Sequence, residues 1–317
     1  MTHEEAFLEA IREQPDDEVP RLIYADWLEE HGQPERAEFI RVQLRLALLS
    51  EDTSERAALT QREQALLAKQ RDAWLKSVPK SLRMQCGFRR GFASELVCTV
   101  GQWRRSAERL LRACPLLQAL RVAPPHSAMP GQPIRRRNDR IVALASVPYL
   151  AQLTTLDLRM NWIGDVGTTV LASSPHLAQL IMLNLQNNEI GDAGATALSS
   201  SPHLARLTTL NLSANRIGNA GAIALSSSPH LARLTTLNLS MNQIGNSGAS
   251  ALASSPHLGQ FTMLALRSNR IGNAGASAFA SSPHLGQQAR LDLGGNRYID
   301  HATVDILRTR LGDRVTF

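Results

Sequence analysis

The chain has 317 residues, 43% of them apolar, and a formal net charge of +6. This length predicts two domains with a proper core, and no run of about 18 apolar residues is present to span a membrane. The acidic opening Met1-Thr2-His3-Glu4-Glu5 lacks the basic and apolar regions of a signal peptide. Three scattered cysteines, Cys86, Cys98 and Cys114, suit neither a disulfide framework nor zinc spacing. The chain therefore reads as a cytoplasmic monomer with free thiols, no metal, no cofactor and no membrane contact.

The charge is unevenly spread. Residues 1–80 hold 17 acidic and 11 basic residues, whereas residues 81–140 hold 12 arginines against Glu95, Glu108 and Asp139. An acidic block thus precedes a basic one, and intramolecular pairing between them is one reading of both.

In chain order, Thr2 with Glu5 forms a capping box that opens a helix bearing Phe7, Leu8 and Ile11. A second helix is expected over 18–31, with Pro20 near its start and Gly32 as its stop. A third is expected from about Glu35 to Leu49, and a long fourth from beyond Ser54 to about Val78. Residues 1–80 thus read as a small all-α domain. Arg21, Tyr24, Asp26 and Glu38 read as helix-to-helix pairs rather than a catalytic cluster. The run Pro20-Arg-Leu-Ile-Tyr-Ala-Asp-Trp-Leu-Glu-Glu-His-Gly32, with Arg36-Ala-Glu-Phe-Ile-Arg-Val-Gln43, resembles the bacterial repeat-companion domain. That resemblance brings no activity with it.

Residues 81–150 read as divergent repeats. Gly91 to Val97 suggests a strand, Trp103 to Ala113 a helix and Leu117 to Val122 another strand. Ala123 to Asn138, with four prolines and Arg135-Arg136-Arg137, reads as an exposed loop. The basic patch Arg89, Arg90, Arg104, Arg105, Arg135, Arg136 and Arg137 could neutralise phosphates. Few aromatics interleave with it, so nucleic acid is a secondary reading.

From 151 to 299 the chain repeats every 27 residues. Leu156, Leu183, Leu210, Leu237, Leu264 and Leu291 mark one position, and Asn161, Asn188, Asn215, Asn242, Asn269 and Asn296 another. Such a period means a solenoid. Leu-x-Leu is a short strand with one buried face. The Asn that follows can satisfy its side chain only against backbone groups, so the six form a structural ladder. Asp165, Asp192, Asn219, Asn246, Asn273 and Asp300 suit helix N-caps, and Ser-Ser-Pro-His stops each helix. Residues 300–317 supply a capping helix and strand. The pattern L-x-x-L-x-L-x-x-N-x-I-G-x-x-G-x-x-x-L resembles leucine-rich repeats of the ribonuclease-inhibitor class. That resemblance implies an α/β solenoid: a right-handed horseshoe, parallel strands concave and helices convex, preceded by the all-α domain.

Function is less legible. Alternation along the strands turns Asp157, Arg159, Asn184, Gln186, Asn211, Asn238, Arg267, Arg290 and Asp292 outward along the concave face, where horseshoes of this class commonly bind proteins. His176, His203, His230, His257 and His284 recur among Ser, Pro and Leu, so hydrogen bonding across turns is expected rather than metal binding. No P-loop, G-x-S-x-G, H-E-x-x-H or C-x-x-C motif is present. The expectation is a non-enzymatic scaffold for a protein partner. The resemblance to Ran-type activators makes a small-GTPase regulator one alternative, and nucleic-acid binding through residues 83–140 is another.

Overall fold

The structure is a computed structural model that describes residues 2–51, 53–124 and 134–317, without the side chains of 134–138 and 258. It divides into two compact units: residues 1–98 with 105–120, and residues 99–104 with 121–317. The first unit takes in a β-hairpin beside its helices.

In the first unit, α1 (His3–Glu13), α2 (Val19–Glu30), α3 (Pro34–Leu48) and α4 (Ser54–Trp74) precede the one-turn α5 (Lys80–Arg83). The capping box on α1 is formed: Thr2 N donates to Glu5 Oε2 at 2.7 Å, and Glu5 N donates to Thr2 Oγ1 at 3.2 Å. The fourth helix stops at Trp74 rather than near Val78. Val78 precedes Pro79, whose ring disfavours helical backbone in the residue before it. Strands β1 (Cys86–Arg89) and β2 (Phe92–Cys98) pair antiparallel, and β1 has no counterpart in the sequence reading. Between them Gly91 has φ +90°, and a Cβ there would lie 2.5 Å from Ile40 Cγ1, so only glycine fits. Ile11, Tyr24, Leu28, Ile40, Phe92 and Leu116 belong to one buried cluster.

The acidic surface of this unit is neutralised mostly from within. Arg41 pairs with Asp26 and Glu29, Arg45 with Glu55, and Arg62 with Glu38. Tyr24 donates to Glu4 at 2.9 Å, and Arg21 donates to Asp17 O at 2.6 Å. From the arginine block, only Arg90 with Asp16 and Arg83 with Asp72 pair with acids of residues 1–80 among the described residues.

Helix α6 (Val100–Ala113) and strand β3 (Ala119–Val122) run from one unit into the other. The helix begins at Val100, ahead of Trp103, because Thr99 and Gln102 form a second capping box: Thr99 Oγ1 accepts from Gln102 N and Gln102 Oε1 accepts from Thr99 N. In the second unit α7 (Ile134–Ala145) starts inside the stretch expected to be a loop. Residues 125–133 of that loop and the side chains of Arg135, Arg136 and Arg137 lie outside the described residues.

The solenoid follows as β4 (Thr155–Asp157), α8 (Gly164–Ala172), β5 (Met182–Asn184), α9 (Asp192–Ser199), β6 (Thr209–Asn211), α10 (Asn219–Ser226), β7 (Thr236–Asn238), α11 (Asn246–Ala253), β8 (Met263–Ala265), α12 (Asn273–Ser281), β9 (Arg290–Asp292), α13 (His301–Leu311) and β10 (Val315–Thr316). Strands β4 to β10 are parallel and in register, so Leu156, Leu183, Leu210, Leu237, Leu264 and Leu291 stand side by side. These leucines, with Ile190, Ile217, Ile244 and Ile271, are buried. No single repeat could bury that face alone; stacking makes one continuous core.

Candidate functional site

The sequence places its candidate residues on the strand-lined face, and what that face can offer depends on what the scaffold takes first. The ladder asparagines are wholly taken. Asn215 Nδ2 donates to Leu185 O at 3.0 Å and Leu212 O at 2.9 Å, while its Oδ1 accepts from Asn188 N and Ile190 N, both at 3.0 Å. Asn188 and Asn242 repeat the pattern one repeat either side. Each side chain therefore ties its own turn to the preceding one.

The outward strand residues are partly taken as well. Asn184, Asn211, Asn238 and Asp292 each accept a hydrogen bond from the backbone N–H two residues on, at 2.9 to 3.0 Å, an Asx arrangement that shapes the strand exit. Asp157 does the same toward Arg159 N, and it also holds the Arg159 guanidinium. Arg121 lies 3.9 Å from the same carboxylate. Asp157 is buried, and it holds the Arg159 guanidinium above its usual pKa through that hydrogen bond. Asn184, Gln186, Asn211, Asn238 and Asp292 are half-buried, whereas Arg267 and Arg290 are exposed.

The side chains most open to a partner were not all singled out by the sequence. Met182 is 42% exposed on the strand face, and Met160 and Met241 are 49% and 61% exposed where the chain leaves its strand. The two latter belong to a recurring left-handed position, with Met160, Asn187, Ala214, Met241 and Ser268 at φ +55° to +60° and Gly295 at +71°. Left-handed backbone turns these side chains outward. Spacing alone could have marked the position, because the residue precedes each ladder Asn.

Two expected roles are corrected by the geometry. The Asp/Asn series does not cap its own helices, except at Asp300, which accepts from Thr303 N at 2.8 Å. Asp192 is itself the first residue of α9, with the free N–H groups of that helix ahead of it. One repeat on, Gly218 N and Gly221 N stand beside it and donate to its Oδ1 at 2.7 and 2.8 Å. Asp165, Asn219 and Asn246 likewise serve α9, α11 and α12. A Cβ on Gly221 would lie 2.7 Å from that Oδ1, so the glycine makes room for the tie.

The histidine ladder is the second correction. Among the described residues no ring of His176, His203, His230, His257 or His284 makes a hydrogen bond. Each follows a proline at the helix exit, the first four half-buried and His284 exposed. The serine two residues before makes the tie instead: Ser174, Ser201, Ser228, Ser255 and Ser282 are buried, and each donates Oγ to a carbonyl of the preceding repeat at 2.5 to 2.6 Å.

In the basic patch Arg89, Arg104 and Arg105 are exposed, while Arg90 donates to Pro15 O at 3.0 Å. Among the described residues no group of three or more His, Cys, Asp or Glu is placed to hold a metal. No helix among them is long and apolar enough to cross a membrane.

Residues 151–172, 180–199, 203–226, 230–253 and 261–280 match the family described as leucine rich repeat. The chain therefore carries leucine-rich repeats, and proteins of this kind generally act as protein-interaction scaffolds without enzymatic activity. No curated protein matches the chain. Among solved structures, an internalin from Listeria monocytogenes is 18% identical over 65% of this chain and 68% of that one, with a TM-score of 0.31.

Proposed function

We propose that this protein is a non-enzymatic scaffold that takes one protein partner on the strand-lined face of its repeats and along the rim where the strands end. The observation that carries the reading is the exposed set Met160, Met182, Met241, Arg267 and Arg290 beside strand residues Asn184, Asn211 and Asn238, whose side chains each already accept a backbone hydrogen bond. Methionine and arginine are enriched where proteins meet, and a flexible thioether adapts to an irregular partner surface. Asp157 is better read as a group that orients Arg159 than as a contact in its own right.

We read the repeats as the ribonuclease-inhibitor type because a helix of 8 or 9 residues faces the core in α8 to α12. The N-terminal helices read as the repeat-companion module, and the buried free thiols agree with a reducing compartment.

The test is affinity purification from native lysate with the wild type and a Met182→Glu, Arg267→Glu, Arg290→Glu variant, run in low and high salt. A protein retained by the wild type in high salt and lost from the variant supports the proposal. Identical captures would move the partner off this face, and recovery of nucleic acid in low salt alone would favour the arginine block.

A further inference from the structure

The first unit contains a cavity of about 590 Å³, lined by Tyr24, Arg36, Trp74, Phe88, Phe92 and Cys114 among others. That volume lies in the range of small-molecule sites, and the aromatic residues share the wall with polar ones, Gln33, Lys76, Ser77 and Arg112 among them. Arg36 is the group that stands out. Its guanidinium carbon lies 4.8 Å from the Trp74 ring centre and 5.6 to 5.7 Å from those of Phe39, Phe92 and Phe88. Four aromatic faces thus hold a cation through their ring quadrupoles.

What the rings cannot supply is a hydrogen-bond acceptor. Nη1 is shut in without one, and among the described residues no protein oxygen accepts from Nε or Nη2. The carboxylates on the cavity wall are engaged: Glu4 accepts from Tyr24, and Glu5 closes the capping box of α1. Arginines elsewhere in this unit do have acceptors, as Arg56 does in Leu46 O and Leu49 O, and Arg71 in Arg83 O and Cys86 O. Burial pushes the Arg36 guanidinium down to about 10, so it still carries its charge at neutral pH. A charged guanidinium on the wall of a cavity, without a protein acceptor, suits a small anion.

We propose that this cavity binds a small monocarboxylate with an aromatic or branched apolar body, its carboxylate on Arg36 and its body against Trp74, Phe88 and Phe92. Glu4 and Glu5 stand against Arg36, Lys76 and Arg112 on the wall, so it is the rings of Trp74, Phe88 and Phe92 that favour a ligand with an apolar body over phosphate. The site is independent of the strand-lined face, so either can fail alone.

The experiment is titration calorimetry of the full chain, with Trp fluorescence as a second readout. The probes are benzoate, its neutral counterpart benzamide, and inorganic phosphate. Saturable 1:1 benzoate binding at about millimolar concentration or tighter is expected, with at least about tenfold weaker binding of benzamide and phosphate. Arg36→Met should abolish benzoate binding and Arg36→Lys should retain part of it. The benzoate–benzamide comparison on the wild type stands even if Arg36→Met does not fold. Equal binding of benzoate and benzamide, tighter binding of phosphate, no benzoate binding up to about 10 mM, or full binding by a folded Arg36→Met variant would each overturn the assignment.

Discussion

At the scale of the residue, the ladder asparagine is the most constrained group in the repeats. Asn215 satisfies both ends of its amide against buried backbone, so Asn215→Ala leaves Leu185 O and the N–H groups of Asn188 and Ile190 without partners, while Leu212 O keeps Asn242 Nδ2. At about 1–3 kcal/mol for each orphaned buried group, partly offset by relaxation, the expected loss is about 3 kcal/mol or more, read from denaturant unfolding. A loss below about 1 kcal/mol would mean that water replaces the amide. Its neighbour Ala214 is a milder case. With φ +55° it sits where a Cβ is penalised, so Ala214→Gly should stabilise by up to about 1 kcal/mol. Entropy lost by the freer unfolded chain limits the gain.

At the scale of the element, each solenoid helix from α9 to α12 has its N-terminus satisfied by the repeat before it. Asp192→Ala should cost about 1 kcal/mol, and the damage should appear in α10 rather than in α9. Hydrogen exchange resolved by residue distinguishes the two, and faster exchange confined to α9 would refute the cross-repeat cap. Asp192→Asn should cost little, since Asn219 and Asn246 perform the same task. The last helix differs because Asp300 caps it locally. The Thr303 backbone and side chain hold the Asp300 carboxylate below its ordinary value of 3.8. A depressed folded value stabilises above the unfolded value and is lost as pH falls through the folded one. Protection of α13 should therefore be unchanged between about pH 7 and about pH 5, and fall below about pH 3.9.

At the scale of the whole molecule, the polar ties between repeats span nearly one period. Ladder amides reach 25 to 30 residues, helix caps 26 and 29, and buried serines 29. Removing residues 208–234 therefore restores every spacing at the junction. The shortened chain should fold with intact circular dichroism per residue and a lower unfolding midpoint, because one nearest-neighbour interface has been lost. Non-cooperative melting of that chain would show that the central repeats are not interchangeable.

The solenoid itself was determined by the sequence: the 27-residue leucine and asparagine periods specify parallel strands, their register and which face is buried, since each signal lies within one repeat. The α1 capping box and the order of helices in residues 1–80 were legible for the same reason. Only the tertiary structure decided which repeat a polar side chain serves. Asp192 has a local helix and a neighbouring helix within reach of one carboxylate, and its place on its own helix excludes the local choice. Ser174 and His176 stand two residues apart in the same exit turn, and burial selected the serine. Arg36 looked like one arginine among many until four rings from α3, α4, β1 and β2 closed around it. Sequence motifs carry chemistry that acts along the chain, whereas contacts across 27 or more residues become specific only once the stack has formed.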